Sequence, residues 1–247
     1  MVSEKQMTKK QSSELTAPNE AWGQEGMSTS DILIPKLLLM QGLSVLVTEQ
    51  KAVMGELVNS VTGEKLGGPN KVIEFAALKS YRELQILEEI DGDWKFIRSE
   101  PMTAKNENLP WEEEVNGVRT KRVKCLNFFI RLARDFGKKE EFPYLLSFRS
   151  TSYKAGRILV NEGKKLEVLG QPLASKLFDL TCKLEKNPQN KPYYVLSATP
   201  GRATTPKELN ECYEWYLMIK KGLTTTDTSD ELGEQTISTD QLSSDEF

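Results

Sequence analysis

The sequence predicts a mainly β domain with flanking helices, in the α+β class. Three stretches point there. Val118 to Arg134, VRTKRVKCLNFFIRLAR, is rich in β-branched and aromatic residues and carries no Pro or Gly, the composition of a long strand. Asp91-Gly92-Asp93 stands between two apolar runs, where a tight turn joins them as a hairpin. Thr205-Pro206-Lys207-Glu208 is a capping box with Pro at the first helical position, so a helix begins there.

The chain has 247 residues, enough for one substantial domain with polar ends or for two small ones. Its apolar share, 38%, is on the low side and fits a chain whose ends stay outside the core. The three cysteines, Cys125, Cys182 and Cys212, are far apart and odd in number. They have neither metal-ligand spacing nor a disulfide pattern, which suits a reducing compartment. There is no His. That argues against Ser-His or Cys-His catalysis and most zinc sites, so no metal, no cofactor and no enzymatic activity are expected. Carboxylate-and-magnesium chemistry stays open. No apolar run approaches the roughly 18 residues of a membrane span, and MVSEKQMTKKQSSEL has no signal core. A cytoplasmic protein without a membrane partner is expected.

Along the chain, residues 1–30 are polar and are read as a disordered segment, with Trp22 its one large ring. Residues 31–222 form the domain. Asp31 to Val47, DILIPKLLLMQGLSVLV, is the most apolar stretch, broken by Pro35 and Gly42. It suits buried packing or a homodimer contact. Ser60 to Asn70 reads as a loop. Val72–Leu78, Tyr81–Ile90 and Trp94–Arg98 read as strands, and Glu100 to Gly117 as a long loop. After the strand Val118–Arg134 comes another, Phe142–Arg149. Ser150-Thr151-Ser152 offers N-cap residues for a helix from Tyr153 to about Glu162. Leu173–Glu185 and Tyr193–Ala198 are two further strands, joined by NPQNKP. The last helix runs from Thr205 to Lys221 and closes at Gly222, with Leu209, Cys212, Tyr213, Tyr216 and Ile219 on its packing face.

The functional reading starts from the faces of the strand Val118–Arg134. Leu126, Phe128, Ile130 and Leu132 share one face, which suits a core. Cys125, Asn127, Phe129, Arg131 and Ala133 share the other, with a ring and a cation that a core would not favour. Arg119, Lys121, Arg122 and Lys124 extend the basic character upstream. Cations that track phosphates beside a ring that stacks under a base are what a single-stranded nucleic acid binder needs. Trp111 is a second candidate ring. Tyr153, Lys154 and Arg157 add a helical patch able to face the same phosphates. The plainer alternative is a solvated strand kept soluble by its charges. A third reading makes the acids near Asp91, Asp93 and Glu112–Glu114 a magnesium-dependent nuclease centre, although a hairpin turn explains the two Asp as well. Gly156 and Gly163 before Lys164 do not have P-loop spacing.

Charge is unevenly spread. Residues 227–247 hold seven acids and no base; the whole chain has 33 bases and 36 acids, so residues 1–226 carry a net +4. Residues 223–247 form a low-complexity acidic tail ending Ser243-Ser244-Asp245-Glu246-Phe247. This ending resembles the acidic C-termini, closing in Phe, of phage and bacterial single-stranded DNA-binding proteins. The bacteriophage T7-type family is the nearest parallel in layout. The resemblance rests on the last few residues and on the overall arrangement.

It implies an OB-fold-like barrel of about five to seven strands, with a helix after the central strands and a C-terminal helix. It also implies a protein that coats single-stranded DNA during replication, recombination and repair, in the host cytoplasm if phage-encoded. In such proteins the tail competes with DNA for the basic groove. Asp245, Glu246 and Phe247 would then recruit replication or recombination proteins. A phage protein whose tail mimics nucleic acid is the remaining alternative.

Overall fold

The computed structural model describes residues 32–222. The expected disordered segment 1–30 and the acidic tail 223–247, with Trp22, Asp245, Glu246 and Phe247, lie outside the described residues.

Strand β1 (Leu37–Leu39), a short helical turn α1 (Val45–Thr48), β2 (Leu57–Asn59) and β3 (Lys65–Gly67) come first, followed by β4 (Ile73–Ile90), β5 (Asp93–Pro101), β6 (Glu112–Val115) and β7 (Val118–Leu132). Then come β8 (Tyr144–Arg149), helix α2 (Tyr153–Val168), β9 (Lys176–Lys186), β10 (Pro192–Ala203) and helix α3 (Pro206–Lys221). Strands β1 to β3 form a small antiparallel sheet, and the remaining strands a seven-stranded one. The mainly β, α+β class is therefore as expected. The closed barrel is not: the main path runs β10-β9-β4-β7-β6 and ends on open edges.

β4 and β7 pair along most of their length and make a central ribbon. Its two halves have different neighbours. The inner half takes β9 beside Ile73–Ala76 of β4 and β8 beside Cys125–Ile130 of β7. The outer half takes β5 beside Glu83–Ile90 and β6 beside Val118–Lys121. β4 is one strand of 18 residues where the sequence suggested two. A bulge between Ala77 and Lys79 bends it without ending it. Because the bulge resets the alternation, Phe75, Ala77, Ser80 and Arg82 all lie opposite the even-numbered residues of β7.

Both faces of the inner half are covered. On the even face of β7, Leu126, Phe128, Ile130 and Leu132 pack with Phe75, Phe148 and Phe178, beneath Ala155 and Leu159 of α2 and Leu37, Leu57 and Leu66 of the small sheet. On the odd face, Phe129, Leu145 and Leu177 pack against Cys212, Trp215 and Ile219 of α3, with Ile34. The apolar stretch 31–47 thus contributes core residues: Ile34, Leu37 and Met40 are buried.

The capping box forms as read: Thr205 accepts from Glu208 N–H, and the Glu208 carboxylate accepts from Thr205 N–H. Gly222 ends α3 at φ 126°, a backbone that favours glycine. The packing face of α3 centres on Trp215; Tyr213 is 59% exposed. Helix α2 runs on to Val168, and its first turn has no side-chain cap. Ser152 Oγ instead accepts from Leu196 N–H at 3.0 Å. The free edge of β10 is blocked in a similar way. The Gln41 side-chain amide donates to Tyr194 C=O at 2.7 Å and accepts from its N–H at 3.1 Å, standing in for a neighbouring strand.

Candidate nucleic-acid interface

The strand that sequence reasoning singled out is present, but its odd face is no trough. Phe129 is 3% exposed and sits under α3, 5.9 Å from the Tyr81 ring. It cannot stack under a base. Arg131 is fully buried. Its guanidinium pairs with Glu211 of α3 at 2.9 Å, lies 5.3 Å from the centre of Trp215, and donates to the carbonyls of Asp135, Lys138 and Glu141. Glu211 also accepts from Gly137 N–H. This cation is consumed in holding α3 to the turn after β7, so it is not a phosphate contact.

Further out, the basic residues of β7 meet acids on the adjacent strands. The Asn116-Gly117 turn sets Glu114 opposite Arg119 and Glu112 opposite Lys121. Lys121 is 2% exposed, pairs with Glu112 at 2.8 Å, and lies 4.6 Å from the Trp94 ring centre and 5.4 Å from that of Trp111. This hydrogen bond holds the Glu112 carboxyl below the usual carboxylate range. Lys121 thus joins Arg131 as a structural cation. Arg119 pairs with Glu89 at 2.5 Å and Arg122 with Glu113 at 2.6 Å. The acids here, Glu89, Glu112 and Glu113, match the three cations in number, so this end of β7 presents no surplus of positive charge to a phosphate. Trp111 lies at the outer strand edge, 39% exposed, with Lys121 against its ring.

The remaining candidates come together on the even face, where α2 meets the ribbon. Gly156 makes this possible. A Cβ there would meet Phe148 Cβ at 2.7 Å and Leu126 Cδ1 at 3.1 Å, so only glycine lets the first turn of α2 approach so closely. Arg82 lies opposite Leu126 on β4, and Lys124 opposite Leu84. Tyr153, half-buried at the start of α2, lies close enough to Arg82 to bear on its charge. Lys154 and Arg157 are exposed on the same turn of helix. Among the described residues neither has an ion-pair partner.

One acid enters the group. Glu107, on the loop from Met102 to Trp111, is in direct hydrogen-bond contact with Arg82. That bond, with the charges of Arg82 and Lys124, holds its carboxyl below the usual range and raises the Arg82 guanidinium above its own. Arg82 and Glu107 escaped the sequence reading because their neighbourhood depends on the β4–β7 register.

Among the described residues, no three His, Cys, Asp or Glu come together as ligands for a metal ion. Asp91 and Asp93 flank the β4–β5 hairpin turn, and Glu112 and Glu113 are ion-paired. The three cysteines are buried and unbridged. Burial pushes the Cys212 thiol up to about 12 and the Cys182 thiol up to about 11, which leaves both poor nucleophiles. Among the described residues, no helix is long and apolar enough to cross a membrane.

Comparison with curated proteins and with solved structures finds no match. The profile of a family of phage proteins, described as Pam3 phage gp34-like protein, matches residues 4–225, most of the chain. The chain therefore belongs to the Pam3 phage gp34-like protein family.

Proposed function

We propose that this phage-family protein binds single-stranded DNA, without sequence preference, in support of phage replication and recombination. One observation carries the reading: Arg82 and Lys124 on the even face of the ribbon lie beside the start of α2, which carries Tyr153, Lys154 and Arg157. Cations that follow a backbone, beside a ring that a base can stack on, are the general means of gripping an unpaired strand. The acidic residues 227–247 support it from the other side. They carry seven negative charges against a net +4 in the remainder, so they compete with DNA for the same cations. Freed by DNA, Asp245, Glu246 and Phe247 recruit a replication partner. The binding face is the sheet-and-helix junction of an open sheet, in place of an OB-type barrel groove.

A gel shift of oligothymidine against duplex of equal length, run with Mg²⁺ present, tests this reading. Retarded and intact single strands, with the duplex bound more weakly, are expected. Equal binding of both, or cleavage, overturns it.

A further inference from the structure

The loop Met102–Trp111 lies across the outer half of the ribbon. Thr103 N–H donates to Asn106 Oδ1 at 2.7 Å, Asn106 Nδ2 donates to Pro101 C=O at 3.0 Å, and Arg122 donates to Pro110 C=O at 3.0 Å. So anchored at both ends, the loop sets Glu107 on the Arg82 guanidinium, with Met102 Sδ 3.8 Å from the same group. The Glu107 side chain is 38% exposed and that of Arg82 45%. Solvent, and anything dissolved in it, therefore reaches the contact. A carboxylate and a phosphodiester present similar oxygen acceptors to a guanidinium.

We propose that Glu107 is a built-in stand-in for a phosphate: it occupies the anion position on Arg82 in the free protein and is exchanged for a backbone phosphate when a strand binds. The inference rests on the proposed single-strand binding and names how that site is regulated. The exchange makes binding cheaper to reverse, because Arg82 never stands bare. It also keeps Arg82 oriented, with Met102 Sδ as its second contact. Glu107 thereby lowers affinity while preserving the geometry of the site. This control is local and separate from competition by residues 227–247.

Fluorescence anisotropy with labelled oligothymidine tests it in the full chain. Glu107→Gln removes the competing charge and should tighten binding about two- to fivefold, the scale of one exposed ion pair. Glu214→Gln makes the same change in net charge on α3, across the sheet, and should have a smaller, screened effect. In an Arg82→Ala background the gain from Glu107→Gln should vanish, because the exchange needs Arg82. If wild type binds but Glu107→Gln matches Glu214→Gln, or its gain persists without Arg82, the exchange is wrong and single-strand binding stands. If neither wild type nor Glu107→Gln binds oligothymidine, the binding reading itself fails and the exchange goes with it.

Discussion

Individual cations on β7 have opposite jobs although their chemistry is the same. Arg131 is walled in by α3 and the following turn, and every direction its guanidinium faces is occupied. Truncation to Ala leaves Glu211 without its cation in a mostly covered site, which costs about 3–5 kcal/mol. Chemical denaturation of Arg131→Ala should show a loss of that order. Arg119→Ala, at an exposed pair, should lose about 1 kcal/mol or less. Arg119 lies among matching acids, so Arg119→Ala should leave DNA affinity nearly unchanged, whereas Arg82→Ala, beside Lys124 and the start of α2, should weaken it.

Glu208 gives a pH prediction. Arg202 first, then the cap bonds to Thr205, hold its carboxyl down at about 2. A depressed carboxylate stabilises the fold above its unfolded value and loses that contribution as pH falls through the folded one. The stability of wild type should therefore decline between about pH 4.5 and about pH 2 more steeply than that of Glu208→Gln, followed by thermal melts. Parallel curves for the two proteins contradict the assignment.

At the scale of elements, what the sequence made legible was local. The Thr205 box, the Asp91-Gly92 turn and the strand from Val118 each carry their signal within a few residues, and each is present. The faces of β7 are not legible locally, because covering one of them requires α3, some 80 residues away. Phe129 and Arg131 look outward only if that helix is left out. Asn116-Gly117 is a strong two-residue turn, and taking it as one would have set Glu112–Glu114 against Arg119–Lys121 and shown these charges paired. The meeting of α2 with Arg82 and Lys124 was beyond local reading, since it depends on register across the bulge in β4.

That junction turns on Gly156. In Gly156→Ala the new methyl presses on Phe148 and Leu126, and overpacking of this kind costs about 1–3 kcal/mol. The helix must move away from the sheet to relieve it. Reduced stability together with weaker oligothymidine binding is expected, even though no cation has been removed. Unchanged melting would show that α2 does not sit as close as described.

As a whole, the chain divides by charge into a mildly basic body and an acidic stretch, 227–247. The binding face proposed for the body is the junction of α2 with the central ribbon. The acidic stretch is the competitor of opposite sign in the proposed mechanism. Removing residues 227–247 should tighten oligothymidine binding most at low salt, where unscreened charge matters most, and abolish recruitment of a replication partner. An affinity that does not change removes the competition, though not the binding face.

The most direct test of the central claim is the salt dependence of oligothymidine binding. Each phosphate neutralised lowers log affinity by about 0.7 per unit of log salt on single strands. The full chain should give a clear negative slope. Replacing Arg82, Lys124, Lys154 and Arg157 together by Ala should weaken binding and flatten the slope by up to about 2.8, while the circular dichroism of the fold persists. A folded quadruple variant that keeps the wild-type slope, or a wild type that ignores oligothymidine at low salt even without residues 227–247, contradicts the account.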